Sequence, residues 1–496
     1  MERKDLIWVT AIFTLVFSIR LYLAFGHGTF DYGSYFNLRQ TQNIMETGLP
    51  KFQDDLSYGG RFFTFLPFFH YILAIAGKIM GIELAAKVVP ELFASALCIV
   101  SYLIVKRLTR SSHAAIFSSF MSGFIPVYLT ETVNSVSPLA LVVPLMFLLL
   151  HSFLHMDPKN RKSIFLFIAG LLCLVLMHPV SILFILALYF YILLCRIEQI
   201  KLEASEVELT IFSTFLWLWV NLIIYKKALQ LHGINIIWQN MPEYLYLQNF
   251  GGVDILGILL RAGLLPTIFG IYIIYRGIFG EKSKQAFLFI SFAFSTAIML
   301  WLKFISLAVG MIFLGAVLVI LSSLFYAKFL AYLEKTRILQ YKPYMVVGIV
   351  VVFVFTSVLP SVYGARMRSN YPTEVEIAGL RWLKDNTPPD SAVLAAPLEG
   401  HALAYYASRK NVLDDNFIFA NDVNMRLNDI NEIYKTRFKI RAIGLTTKYQ
   451  INYILISQKT RTDLDFETLL YEDGDCIKKE YDKGGTAIYG IRCILN

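Results

Sequence analysis

The chain has 496 residues, of which 56% are hydrophobic and only 16% charged. Soluble domains carry about 25% charged residues, so this composition excludes a large soluble core and indicates a chain that crosses a membrane many times. The formal charge of +9 is modest for the length, and its Lys and Arg gather in short loops, which reads as membrane orientation and excludes nucleic-acid binding.

The first element is an apolar segment, roughly Leu6 to Phe25, long enough for a bilayer that takes about 20 residues to cross. It has no small-residue cleavage site and is long for a signal core, so it reads as a retained anchor. Directly after it comes Gly28-Thr-Phe-Asp31-Tyr32-Gly-Ser-Tyr35-Phe36-Asn-Leu-Arg39. Asp31 therefore stands at a membrane–water boundary among aromatic rings, two helical turns before Arg39. An ionisable group at that depth is a candidate for chemistry on a lipid-borne substrate.

The next apolar stretch, Phe62 to Met80, is interrupted by Pro67 and His70. It reads as a helix lying along the membrane surface within a long outer loop, residues 26–87. Further spans are expected to begin near Val88, Ala114, Pro138, Ile164, Val180, Leu209, Val253, Ala286, Ile305 and Tyr344, giving about eleven by the length criterion. With Arg3 and Lys4 inside, this count puts the basic loops Lys106–Arg110, Lys159–Lys162, Arg196–Lys201, Arg276–Lys284 and Lys328–Lys342 on the cytoplasmic side. That is the positive-inside pattern, and a crossing at Phe62–Met80 would invert most of it. The outer face then collects the first loop, the Glu131 turn, the His178-Pro179 turn, the Lys226–Gly252 loop, Lys303 and everything after Ser361. The N-terminus is cytoplasmic and the C-terminal region extracytoplasmic.

From about Arg366 the composition becomes that of a soluble domain. Ile377, Leu380 and Leu383 have helical spacing within Glu374–Asn386, and Thr387-Pro388-Pro389 stops the helix. Ala392–Ala396, Lys410–Leu413 and Asn452–Ser457 read as strands, His401–Ala407 as a short helix, and Cys476–Cys493 as a hairpin about a Lys-Gly-Gly turn. The expectation is an α/β domain over 366–496 on a helical membrane unit over 1–365. Cys98, Cys173 and Cys195 fall in apolar spans as packing residues. A Cys476–Cys493 disulfide fits a domain that faces an oxidising compartment.

The run Asp31 to Arg39, then Asn43-Ile-Met-Glu-Thr-Gly48-Leu-Pro50, Tyr58-Gly-Gly-Arg61 and Leu66-Pro67, resembles the first external loop of the GT-C glycosyltransferase superfamily. More narrowly, it is similar to the archaeal and bacterial oligosaccharyltransferase catalytic subunit. Trp382 to Asp390, Glu399-Gly400-His401 and Arg409 to Asp415 are similar to the entry of that family's external domain.

The resemblance implies a sugar or oligosaccharide transferred, with inversion, from a polyprenyl (dolichyl)-phosphate donor to an acceptor at the outer face. Asp31 would be catalytic, accepting the proton of an acceptor hydroxyl or orienting it. Lys303, with Arg39 and Arg261 behind it, would face the donor phosphate. Such a leaving group needs only cations to receive its charge. Tyr32 and Tyr35, with Phe36, would stack on the sugar or line the prenyl groove, while Glu131, Glu399 and His401 would lie on the substrate or acceptor side.

Three departures stand out. The family's Trp-Trp-Asp-Tyr-Gly is replaced by Ala396-Pro397-Leu398-Glu399-Gly400, its second acidic pair is reduced to Glu131, and Trp301-Leu-Lys303-Phe304 joins two spans directly. Asp31 and Glu131 would at best hold Mg²⁺ or Mn²⁺ together with substrate phosphate oxygens. The rival classes are a transporter or channel, against which the absence of paired repeats speaks, and a non-catalytic glycan-binding relative. Plainer roles also exist: Lys303 as a snorkelling anchor, Arg261 as a partner of Asp254, and Glu399 as a capping residue.

Overall fold

The computed structural model describes residues 3–156, 160–252 and 254–495. Lys159 and Val253, each part of an expected loop or span, lie outside the described residues. Seven described helices are long and apolar enough to cross a membrane: Arg3–Phe25, Ile82–Thr109, Pro179–Ile197, Ala204–Trp238, Lys284–Trp301, Leu307–Leu333 and Leu339–Met367. An eighth span is reached if Ile255–Ala262 and Leu264–Phe279, bent by 100° at their junction, are taken together. The other three expected spans are shorter helices, Ser112–Gly123, Leu139–Leu154 and Arg161–Val175. Ser112–Gly123 stops early because Ile125 must be extended before Pro126, which opens a separate helix, Pro126–Thr132. Phe68–Met80 is also a short apolar helix. The span expected from Val88 starts at Ile82 instead, because Lys87 and Glu91 are buried partners and not boundary charges.

Ion pairs sort the loops between the two ends of the bundle. Asp5 meets Lys106 at 2.9 Å and Glu206 meets Lys284 at 2.8 Å, while Glu198 pairs with Lys282 and Glu281 with Lys328. Exposed pairs add less than about 1 kcal/mol each, but these tie the Arg196, Arg276 and Lys328 loops together at one end and join the first helix to the Lys106 loop. The other end gathers the first loop, the Thr130–Asn134 turn, the segment around Trp238, Lys303 and the C-terminal sheet. There the Trp238 Nε1–H donates to the Lys303 carbonyl at 2.6 Å, and Asn240 Nδ2 donates to the Phe417 carbonyl at 3.1 Å.

Within the first loop β1 (Gln53–Asp54) and β2 (Arg61–Phe62) form a short antiparallel ribbon. The C-terminal sheet contains β3 (Ala392–Leu394), β4 (Lys410–Asn411), β5 (Ile451–Ile456), β6 (Ile477–Lys483) and β7 (Thr486–Ile491), in the order β4-β3-β5-β7-β6. The first three strands are parallel, and β7 and β6 are antiparallel. The β6–β7 hairpin turns at Gly484 and Gly485, both at positive φ (+54° and +89°), as a two-residue turn requires. Cys476 and Cys493 are disulfide-bonded across its base. Glu374–Asn386 is helical as expected, opened by a Thr373/Glu376 capping box.

Two helices that the sequence reading left unassigned pack into the core of the sheet, Val423–Lys435 through Leu427, Ile430 and Ile433, and Lys439–Lys448 through Ala442, Ile443 and Leu445. Leu380, Leu383, Val393 and Leu455 belong to the same buried cluster as residues of the spans. The sheet domain therefore packs against the helical bundle and the first loop together.

Candidate functional site

Asp31 follows the first span and is only 6% exposed, which rules out a solvated loop acid. Its Oδ1 accepts the Ser34 N–H at 3.0 Å and the Ser34 hydroxyl, at the first residue of the Ser34–Thr47 helix. Ser34 Oγ in turn accepts the Val136 N–H at 2.7 Å. Asp31 Oδ2 is left facing Arg368 Nη2 at 3.7 Å. Glu131, near the end of Pro126–Thr132, accepts from the same Nη2 at 3.2 Å, and Arg368 Nη1 donates to the Thr130 carbonyl at 2.9 Å. The two carboxylates picked out from the sequence are thus brought together, by an arginine the sequence reading did not single out.

A buried ionic network fixes the turn that carries Glu131. Arg20, 1% exposed within the first span, donates through Nε to Glu91 Oε2 at 2.8 Å and through Nη2 to Thr132 Oγ1 at 2.6 Å. The Asn134 N–H donates to Glu91 Oε1 at 2.7 Å. Lys87 Nζ donates to the Ala24 and His27 carbonyls at 2.8 and 3.0 Å and to Asn134 Oδ1, and lies 4.5 Å from the centre of the Phe30 ring. Arg20, Lys87 and Arg368 balance Asp31, Glu91 and Glu131 in charge. In an interior of low dielectric that balance carries weight, because an unpaired ion there is costly. The sequence signal for this network was ionisable residues inside apolar spans.

Lys303 ends its span at φ +58°. Its Nζ lies 5.5 Å from the centre of the Tyr246 ring, and it has no ion pair among the described residues. No direct contact joins it to Asp31. Trp238 and Tyr246, which contact Lys303, line a cleft of about 810 Å³ between the membrane-side loop and the sheet domain, together with Asn235, Asn240, Asn421 and Asp422 among others. Arg261 is exposed at the elbow of the bent pair. Asp254, its suspected partner, instead accepts the Gly257 N–H at 3.1 Å. Arg39 is committed elsewhere: Nη1 and Nη2 both donate to Asp54, the first at 3.0 Å.

Tyr32 and Tyr35, expected to stack on sugar, are buried and join the first loop to the sheet domain. The Tyr32 hydroxyl donates to Glu376 Oε2 at 3.0 Å. The Tyr35 hydroxyl accepts from the Phe30 N–H and the Tyr406 hydroxyl, both at 3.2 Å. Burial pushes both phenols far above their ordinary pKa. Rings next to an acid look like a sugar platform in sequence, but these two are interface packing. Phe36 stacks on Phe63 at 4.7 Å.

Glu399 has the capping role. It accepts the Ala396 N–H at 3.1 Å, Thr460 Oγ1 at 2.6 Å and the Ser457 hydroxyl, and burial pushes its carboxyl up to about 7. His401 Nε2 lies 3.0 Å from Asp415 Oδ1. Burial pulls the imidazole down, but Asp414 and Asp415 outweigh it and leave the pKa raised. His401, Asp414 and Asp415 could offer a metal three ligand atoms within 4.8 Å of one another. Asp414, however, already accepts from Arg61 Nη2 at 2.8 Å, the Asn416 N–H at 3.1 Å and the Ser57 hydroxyl. In this arrangement the cluster latches the first loop to the sheet domain.

Hard divalent cations need several oxygens at about 2.0–2.6 Å. Between Asp31 and Glu131 that place is filled by the Arg368 guanidinium. The residues present fit a guanidinium, and an ion there would have to displace it.

No protein-family profile matches the chain, and no curated protein sequence does. Solved structures do match. The archaeal oligosaccharyltransferase AglB from Archaeoglobus fulgidus, in complex with an inhibitory peptide and a dolichol-phosphate, aligns with a TM-score of 0.71 at 13% identity, over 92% of this chain and 70% of its own. An oligosaccharyltransferase of the same organism in complex with Zn and sulfate aligns at 0.63 and 13% identity, over 90% and 67%. ArnT from Cupriavidus metallidurans bound to undecaprenyl phosphate aligns at 0.55 and 14% identity, over 99% and 98%. The chain therefore has the GT-C fold, a polytopic helical membrane bundle with a C-terminal sheet-bearing region. At these identities the likeness carries the fold alone, and the reaction is left to the site's own chemistry.

Proposed function

We propose that this chain of GT-C fold is an integral membrane glycosyltransferase that moves a sugar or oligosaccharide from a polyprenyl-phosphate-linked donor to an acceptor hydroxyl. The observation that carries this reading is the presentation of Asp31 Oδ2, together with Glu131, to one guanidinium at the end of the bundle covered by the sheet domain. The isoprenoid phosphates held by two neighbours of the same fold support that class of donor.

In this mechanism the acceptor hydroxyl lies against Asp31 Oδ2 and attacks the anomeric carbon from the face opposite the phosphate. The new glycosidic C–O bond forms as the bond to the phosphate oxygen breaks. The proton passes to Asp31, the lipid phosphate leaves as an anion, and the anomeric configuration inverts. Fixed cations that meet the developing charge lower the barrier. Lys303, without an ion pair among the described residues and set against Tyr246 of the cleft lining, is assigned to the phosphate, with Arg261 at the elbow as second cation. Arg39 is not, since Asp54 holds it. No step passes through a divalent ion.

The catalytic membrane unit is residues 1–365, with an external unit over 366–496. The Asp31 end faces outward, because the basic loops gather at the other end and the Cys476–Cys493 bridge suits an oxidising side. Ala396–Gly400 stands where oligosaccharyltransferases carry Trp-Trp-Asp-Tyr-Gly, and Glu399 is spent on capping, which speaks for an acceptor other than an Asn-X-Ser/Thr sequon.

The test is transfer in proteoliposomes from undecaprenyl- or dolichyl-phosphate-linked sugars. Asp31→Asn should lower the rate by about 10²–10⁴-fold, the range for general acid–base groups, with unfolding temperature retained. Unchanged transfer would remove Asp31 from the reaction.

A further inference from the structure

We propose that Arg368 takes the place of a divalent cation in this site: it holds Asp31 and Glu131 together as a built-in, non-exchangeable positive charge, so the site works without metal. Only the consequence for rate rests on the transferase reading; the binding consequence does not.

The geometry is that of a bridging cation. A single nitrogen, Arg368 Nη2, is shared by Asp31 Oδ2 at 3.7 Å and Glu131 Oε2 at 3.2 Å, and the other, Nη1, is anchored on the Thr130 carbonyl at 2.9 Å. Two carboxylates that converge on one point repel unless a cation lies between them, and the repulsion grows as water is excluded.

The arginine is delivered by a strapped segment. Arg368 is the extended residue that closes the last span helix. Just beyond it, the Asn370 carbonyl accepts the Tyr32 N–H at 3.4 Å, the Pro372 carbonyl accepts Thr29 Oγ1 at 2.9 Å, and the Tyr371 ring stacks on His27 at 4.4 Å. The far wall is equally fixed, since Thr132 and Asn134 are tied to Arg20, Glu91 and Lys87. The six charged side chains of the site and its support sum to zero as they stand. An added divalent ion would leave a surplus of two positive charges, and an ion in exchange for Arg368 a surplus of one. Balance is complete with the guanidinium.

The test is Mn²⁺ binding to the purified full chain in detergent, followed by electron paramagnetic resonance. Wild type, Asp31→Asn, Arg368→Ala and the double variant Arg368→Ala/Asp31→Asn are compared, with Arg368→Gln as the alternate should the alanine variant fail to fold. Removing the guanidinium frees two carboxylates at a common focus, so the single variant should bind about one more Mn²⁺ per chain than wild type, and the double variant should lose it. Transfer by wild type should persist in excess EDTA. The proposal is overturned if Arg368→Ala binds no additional ion, or if wild type already holds an ion that Asp31→Asn releases. A chain that transfers no sugar at all would defeat the functional reading above and leave these binding counts to decide Arg368 by themselves.

Discussion

The Arg20–Glu91 pair offers a sharp test, because it lies wholly inside and is bonded to the turn that carries Glu131. Their side chains are 1% and 2% exposed and meet at 2.8 Å. Arg20→Met keeps the length of the side chain but removes its charge and its donors. Glu91 then retains the Asn134 N–H and the nearby Lys87 and loses its main counter-ion, while Thr132 Oγ1 loses the Arg20 donor. Breaking one side of a buried pair costs about 3–5 kcal/mol, whereas replacing both partners with apolar residues of similar volume is often neutral or better. Arg20→Met should therefore destabilise the protein by about 3–5 kcal/mol, and Arg20→Met/Glu91→Leu should recover most of that loss. Unfolding of all four members of the cycle in one detergent, by tryptophan fluorescence in denaturant, gives the coupling energy. A double variant as unstable as the sum of the singles would refute the pairing. A stable double variant would still be a slow transferase, since Thr132 and Asn134 would no longer hold the Glu131 turn in place.

Two further outcomes follow from single groups. Burial raises the Glu399 carboxyl to about 7 from an unfolded value near 4.5. The folded state thus holds a proton that the unfolded chain releases between those values. Its stabilising contribution is complete below about pH 4.5 and is lost as pH rises through 7, up to about 3 kcal/mol at 1.36 kcal/mol per unit. Melting temperatures from pH 5 to 8 should fall more steeply for wild type than for Glu399→Gln, with the His401 contribution common to both; parallel curves would mean that Glu399 does not titrate there. Lys303→Ala should raise the donor KM about tenfold or more, the worth of about 1.5–3 kcal/mol for a charged contact, and leave the acceptor KM unmoved. Equal changes in both would take Lys303 off the phosphate.

What could be read from the sequence depended on whether the physics was local. Asp31 was legible because it is an ionisable group among aromatic rings directly beyond an apolar span, and the β6–β7 hairpin because Gly484-Gly485 can turn where other residues are strained. The helices over 423–448 were available in the spacing of Leu427, Ile430 and Ile433 but were passed over amid polar neighbours. Arg368 was not legible. Its partners Glu131 and Asp31 lie more than two hundred residues away, and at the end of a span an arginine looks like any interfacial anchor. Lys87 and Glu91 were masked in a related way, since charges at the edge of an apolar run read as its boundary. Only the fold reveals that they are buried against Arg20, Asn134 and the end of the first span. Tyr32 and Tyr35 misled in the opposite direction, because composition cannot separate a ring that waits for a sugar from one that docks a domain. Asp31, the base in the proposed reaction, is thus a local feature of the chain. The charge that completes it is a property of topology, set by where the last span returns to meet the first loop.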